Sequence, residues 1–282
     1  MSINLKIIYF IGYNLLKFRS LGKEGKAMDH FSRIKEEFKR QAETLSIASV
    51  FTDSGVLEQI RSAIGPTNAM SILDLGCGPG IVTAAIAPEV REAVAFDLTP
   101  EMIDKARAKC KEAGLKNVRF EVGNAEQLPF ENERFDCVVT RLKIHHFLDA
   151  ERVMEEAVRV TRKGGRVIVA DVFSSENEEE AALHNALETL RDPTHIRMLS
   201  PSDMLRLCKS AGLRVTSSVT WEMKRDYDEW IRITNAPERV KPLYEVVAAL
   251  AKAGIHAGID LHLEEKKVIF IHRWLLVTGE KE

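Results

Sequence analysis

Between Ile72 and Gly80 the chain reads Ile-Leu-Asp-Leu-Gly-Cys-Gly-Pro-Gly, an apolar run carrying an acid and then glycine at three alternate positions. Few architectures accept such a stretch. The apolar run predicts a buried parallel strand. The glycines predict a sharp loop whose backbone can approach a ligand closely, with a helix opening at Ile81. In an open α/β sheet, ligands sit at the carboxyl ends of the strands, where such a loop lies. The spacing also excludes the dinucleotide fingerprint, which needs glycine at 76, 78 and 81; position 81 is Ile.

The flanking pattern supports this reading. Phe31, Ile34, Phe38, Ala42 and Leu45 recur at helical spacing, and Val56–Ile64 continues as a second helix closed by Gly65-Pro66. Strands are predicted at 72–75, 93–96, 118–122, 137–140 and 167–170. Between them come helices at 81–87, from Pro100 to Gly114 with Thr99 as cap, and from Glu151 to Thr161, stopped by Gly164-Gly165. This alternation predicts a doubly wound, mostly parallel α/β sheet of seven strands. A helix from Ser200-Pro201-Ser202-Asp203, a strand at 214–219 and a last strand at 268–278 complete it. Almost fifty residues separate those two strands, far more than a hairpin needs. The expected domain plan is a helical N-terminal cap at 28–66 and a sheet domain at 67–282, with lid segments at about 174–200 and 220–266.

At 282 residues there is material for one sizeable core. A net charge of −2 gives no global pull toward nucleic acid or membrane. Cys77, Cys110, Cys137 and Cys208 show neither a C-x-x-C pair nor metal-ligand spacing, so they read as buried free thiols suited to a reducing cytoplasm. No His/Asp/Glu/Cys cluster has ligand spacing along the chain, and no metal is expected.

The segment from Ile3 to Phe18 is strongly apolar, and the first forty residues hold nine Lys/Arg against four Asp/Glu. One reading is a peripheral membrane helix. The other takes Met28 as the natural start and 1–27 as translated leader, since codons for Lys23-Glu24-Gly25 can spell a purine-rich ribosome-binding site.

Polar residues then fall at predicted strand ends. Asp97 closes the second strand, where a carboxylate can accept both hydroxyls of a ribose. Met102, in the next helix, suits either the face of a flat ring or ordinary core packing. Gly123-Asn124-Ala125-Glu126-Gln127-Leu128-Pro129-Phe130 leaves the third strand, and Phe135-Asp136-Cys137-Val138-Val139 opens the fourth.

Together with the Asp74–Gly80 loop, these segments resemble the class I methyltransferases that use S-adenosylmethionine, in particular the ubiquinone/menaquinone-biosynthesis type and its bacterial small-molecule relatives. The resemblance spans Ile72 to Ala170. It implies S-adenosylmethionine as methyl donor, S-adenosylhomocysteine as product, and a cofactor set of Asp74, Gly76, Gly78, Gly80, Asp97, Leu98, Met102, Asn124, Ala125 and Arg141. Asn124 stands where that family commonly has Asp; its amide oxygen still accepts a hydrogen bond. Phe31 joins the set because its helix is similar to the one that closes over the cofactor there.

Because the sulfonium carbon is already electrophilic, the protein mainly has to align a nucleophile and take up a proton. His145, then His146, in Arg141-Leu142-Lys143-Ile144-His145-His146-Phe147 are the candidate base or substrate orienter. His184, Asn185, Arg191 and His195 form a second polar cluster suited to an anionic or phenolic oxygen, with Trp221 as pocket wall. The expected activity is methyl transfer to carbon or oxygen of a small, partly apolar acceptor. The alternative is a scaffold that binds the cofactor without transferring its methyl. Nucleic acid is not an expected partner, because no basic stripe with interleaved aromatics accompanies the core.

Overall fold

The computed structural model describes residues 29–282. The expectations for the leader and for a peripheral helix fall on residues outside that range. Helices α1 (His30–Ile47), α2 (Ser49–Thr52) and α3 (Ser54–Ile64) precede the sheet. Asp29 caps α1 by accepting from Ser32 N–H, and Asp53 caps α3 by accepting from Val56 N–H.

The strands are β1 (Ser71–Leu75), β2 (Glu92–Asp97), β3 (Val118–Val122), β4 (Phe135–Arg141), β5 (Thr161–Val172), β6 (Leu213–Asp226), β7 (His262–Glu264) and β8 (Lys267–Lys281). Their order is β3-β2-β1-β4-β5-β8-β6, with β7 paired to β8. The first five run parallel, while β8 is antiparallel to both β5 and β6. Successive side chains on the central strands enter opposite cores, as a period of two requires. Ile72, Val139 and Ile168 face one layer, whereas Leu73, Val138 and Val167 face the other.

Helices α4 (Ile81–Ile86), α5 (Pro100–Glu112), α6 (Ala150–Val160), α7 (Glu178–Arg191) and α8 (Pro201–Ser210) fill the crossovers and connections. In the second expected lid segment, α9 (Tyr227–Arg232) and α10 (Pro237–Lys252) join β6 to β7.

Several expectations are corrected. Among the described residues the sheet has eight strands, because the short β7 adds to β8. β6 runs to Asp226, so residues 220–226 belong to the sheet and not to the second lid segment. Residues 216–220 are exposed, but from Trp221 to Arg225 burial alternates, with Trp221 and Met223 packed on the core, and the strand pairs with β8 from Leu213↔Lys281 to Asp226↔Ile269. Helix α6 ends at Val160, and Gly164-Gly165 lies inside β5. Thr99 precedes α5 but makes no side-chain cap.

The pairing of β5 with β8 ends at Val172↔Trp274, so the stretch Lys267–Arg273 of β8 projects beyond the carboxyl edge of the parallel strands. Trp230, Ile231, Leu243, Val247 and Phe270 form a small separate core around this projection. The lid is bonded to α1 through Arg239 Nη2 and Glu37 Oε1 (2.6 Å), and through Thr44 Oγ1, which donates to Ile233 O (2.6 Å). Among the described residues, no helix is long and apolar enough to cross a membrane.

Candidate functional site

Two cavities open at the carboxyl edge of the parallel strands. The larger, about 920 Å³, lies between the glycine loop, β4, β5 and the lid. The smaller, about 500 Å³, lies over the ends of β2 and β3. Phe38, Gly76, Lys143 and His146 line both, so the cavities meet there.

The glycine loop is pinned to β2, with Gly76 N–H and Cys77 N–H both donating to Phe96 O (2.8 and 3.0 Å). Gly76 and Gly78 have φ of 72° and 53°, in the left-handed region that side chains disfavour. A Cβ on Gly78 would meet nothing nearer than Lys143 Nζ at 4.0 Å, so this is backbone presented to open space. Gly80 differs. It lines neither cavity, and a Cβ there would sit 2.6 Å from Ala106 Cβ. Its function is close packing of α4 on α5.

Asp97 is buried at the end of β2. Its Oδ2 accepts from Gly78 N–H and its Oδ1 from Thr99 N–H, both at 2.9 Å. Each oxygen keeps a further lone pair toward the smaller cavity. Phe31, Leu98, Asn124 and Ala125 line that cavity too. Asn124 Oδ1 accepts from Glu126 N–H (3.0 Å), so its amide oxygen also shapes its own turn. Met102 lines neither cavity; it is fully buried in the core, the ordinary fate of an apolar helix face.

Asp74 belongs to the larger cavity. Its Oδ2 accepts from Thr83 N–H (2.9 Å) and Thr83 Oγ1 (2.5 Å). Burial pushes its carboxyl up to about 6, against these two hydrogen bonds. Arg141 lines the same cavity. Its Nη1 and Nη2 donate to Phe51 O (2.8 Å) and Val50 O (2.9 Å), its Nε has no partner, and burial lowers it to about 10.

After β4 the chain turns through Leu142 at φ 55°, an uncommon value for a branched residue, held by Leu142 N–H donating to Ala170 O (2.9 Å). That turn throws the following residues over the strand ends. Lys143 Nζ lies 4.1 Å from the centre of the Phe38 ring and 3.8 Å from Asp97 Oδ2.

His145 Nδ1 is 2.7 Å from Asp171 Oδ1, and Asp171 also accepts from Ile144 N–H and Val172 N–H. A carboxylate on Nδ1 keeps the ring proton there and leaves Nε2 as the basic nitrogen. The ring lines the larger cavity. His146 lines both cavities, but its Nδ1 is taken up 3.0 Å from Thr194 Oγ1 and its ring stands edge-on to Phe38; burial and the neighbouring His145 hold it well below its ordinary value.

The expected acceptor-binding cluster is largely structural. Asn185 Oδ1 accepts from Met198 N–H (2.7 Å) and pairs with His195 Nε2 (2.8 Å). This ties α7 to the following loop. His195, lowered to about 4 mainly by burial, and Asn185 line neither cavity. Trp221 stacks on Trp274 at 5.5 Å, and it is Trp274 that lines the cavity. His184 lines neither cavity. Arg191 does line the larger one, donating through Nε to Trp230 O (3.0 Å).

Sequence reasoning missed Asp171, Lys143, Glu188, Arg225 and His272. A signal existed for Asp171, which ends the apolar run Val167–Ala170 as Asp97 ends its own strand. The other four carry no local signal.

The chain matches the methyltransferase domain family over residues 66–233. It is 30% identical over 249 residues to the uncharacterized methyltransferase YcgJ of Bacillus subtilis (strain 168), covering 86% of this chain and 97% of that one. The crystal structure of YcgJ superposes with a TM-score of 0.76 at 28% identity, covering 81% of this chain and 98% of that one. The demethylmenaquinone methyltransferase of Lactococcus lactis subsp. lactis (strain IL1403) is 37% identical over 108 residues, 37% of this chain and 43% of that one.

Proposed function

Because the chain belongs to the methyltransferase domain family and is an S-adenosylmethionine-dependent methyltransferase, we propose that it methylates an oxygen or carbon of a small, partly apolar acceptor held in the larger cavity. One observation carries this reading: the His145–Asp171 pair, 2.7 Å apart, on the wall of a cavity that the glycine loop also lines.

The residues present fit the donor. Asp97 offers lone pairs to the ribose hydroxyls. Phe31, Leu98, Asn124 and Ala125 form the wall for the adenine, and Gly76 and Gly78 give backbone close approach. Asp74 and the unpartnered Nε of Arg141 take the amino-acid end. When bound, S-adenosylmethionine supplies a methyl carbon already activated by its sulfonium.

The protein's work is then alignment and proton transfer. Trp274, Phe51 and Val172 give an apolar wall to one side of the cavity. His145 Nε2 takes the proton of the acceptor's hydroxyl or acidic carbon. Asp171 orients the ring and stabilises the imidazolium that forms. His146, kept neutral by burial, backs the base without competing for the proton. Excluding water from this space strengthens each of these interactions.

Incubation with methyl-labelled S-adenosylmethionine and a panel of quinols, phenols and β-dicarbonyl acids tests the reading. Labelled product is expected from the intact chain and almost none from His145→Ala, with S-adenosylhomocysteine affinity retained. Equal turnover by both proteins removes His145 from the chemistry.

A further inference from the structure

Three side chains that the proposed proton transfer leaves unused meet beside the lid. His184 and Glu188 stand one turn apart on α7, and His272 comes from the projecting part of β8. Nε2 of His272 lies 3.2 Å from Glu188 Oε1, and Nε2 of His184 lies 3.8 Å from the same oxygen. One donor atom from each residue falls within 4.8 Å of the others. Donors bound about 2.0–2.2 Å from a common ion stand about 3–3.5 Å apart, so small side-chain adjustments close this set around a cation.

A second observation points the same way. His184 is 2% exposed, yet among the described residues neither of its ring nitrogens has a hydrogen-bond partner, Nε2 coming no closer than 3.8 Å to Glu188 Oε1. A buried unpaired imidazole is costly, and a metal removes that cost.

We propose that His184, Glu188 and His272 bind a divalent transition-metal ion of the Zn²⁺/Fe²⁺ class as a two-histidine, one-carboxylate site beside the larger cavity. Glu188 and His272 line that cavity, so the remaining coordination positions face it. Trp230 Nε1 on Oε1 (3.2 Å) and Arg191 Nη1 on Oε2 (3.1 Å) fix the carboxylate.

The surrounding charges then specify the ligand. Arg225 lines the same cavity with Nη2 unpartnered, while its Nε donates to Glu229 Oε2 (3.2 Å). A dication beside Arg191 and Arg225 outweighs Glu188, Glu229 and the nearby Asp192, and draws an oxyanion into the open positions. Resting on the methyltransferase reading above, this makes the acceptor a phenolate, enolate or carboxylate. The metal site itself stands independently of that reading.

The test uses the full chain, stripped with chelator and titrated with Co²⁺ as a spectroscopic stand-in for Zn²⁺. We expect one equivalent taken up with visible ligand-field absorption, and hyperfine-shifted imidazole N–H proton signals from two histidines. His184→Gln and His272→Gln should each weaken uptake at least ~100-fold, since even residues that only orient ligands are worth ~10–100-fold. S-Adenosylhomocysteine binding by calorimetry reports separately whether each variant is folded and whether the methyltransferase reading holds. Absence of stoichiometric uptake by the full chain overturns the site. So does uptake without shifted imidazole signals, a result that needs no variant, or uptake undiminished in both folded variants.

Discussion

The glycine-loop half and the lid half of this site are built on different principles. In the first, the working parts are backbone and strand ends. Gly76 and Gly78 present bare main chain, and Asp74, Asp97 and Asp171 lie in or at the ends of three parallel strands. In the second, the parts are side chains brought together from α7, β6, β8 and the loop after α7: Glu188, Arg191, Arg225, His272 and Asp192. A site made of backbone is written in contiguous residues, because the loop must have the conformation it has. A site made of side chains from four segments leaves no local mark.

The largest expected effect lies where the two halves meet. His145→Ala should lower turnover ~10³-fold, within the range of general-base loss, with S-adenosylhomocysteine affinity unchanged by calorimetry. A fall in affinity as large as the fall in turnover would mean that His145 belongs to the cofactor half.

Next comes Gly80→Ala. The left-handed φ of 75° and the 2.6 Å approach to Ala106 Cβ add together. We expect a loss of about 3 kcal/mol in urea unfolding, from ~1–2 for the backbone and ~1–3 for overpacking. Gly78→Ala has the space that Gly80 lacks and should lose only the backbone part while weakening cofactor binding more. Equal stability losses at 78 and 80 would break the distinction between presented and packed glycine.

A smaller effect is expected in the pH dependence of stability. Folding raises Asp74 from 3.8 to about 6, mainly by burial, so the folded protein holds that proton more tightly than the unfolded chain. The stability it contributes is fully present below pH 3.8 and is lost as pH rises through about 6. Relative to Asp74→Asn, the native chain should therefore decline by roughly 2–3 kcal/mol between pH 4 and 6.5. Parallel curves from thermal unfolding across that range would show that Asp74 is not desolvated.

Lys143→Met should have the smallest effect. The ammonium, 3.8 Å from Asp97 Oδ2, competes with ligand hydroxyls for that carboxylate. Its removal should tighten cofactor binding by ~3-fold, under 1 kcal/mol, as expected of a weak ion pair. Weakened binding would move Lys143 from competitor to ligand.

Much of the frame was legible before the structure. Continuous apolar runs located β1, β2, β4 and the inner part of β5, and Gly65-Pro66 and Gly114 marked the ends of α3 and α5. Two stretches escaped. The three-residue β7 is too short to show a period and is a strand because β8 lies beside it, whereas β6 beyond Val219 does alternate, with Trp221 and Met223 on the core, but reads as part of the long connection that follows. At the site, acids at strand ends and the glycine loop were readable. Met102, Asn185 and His195 line neither cavity, since an apolar or polar residue near a site has the same local signature whether it faces the cavity or the packing.

What the residues determined by themselves is the fold class, the family and the conformation of the glycine loop, because each follows from short-range rules that a local segment carries. What only the tertiary structure decided is which histidine has a carboxylate behind it and which three side chains gather at Glu188. Those depend on Leu142 turning the chain over β5 and on β8 projecting past the sheet, both consequences of long-range pairing. Asp171 lies 26 residues from His145, and His272 lies 84 from Glu188. Proximity of that kind is a property of the folded sheet, and no window along the chain contains it.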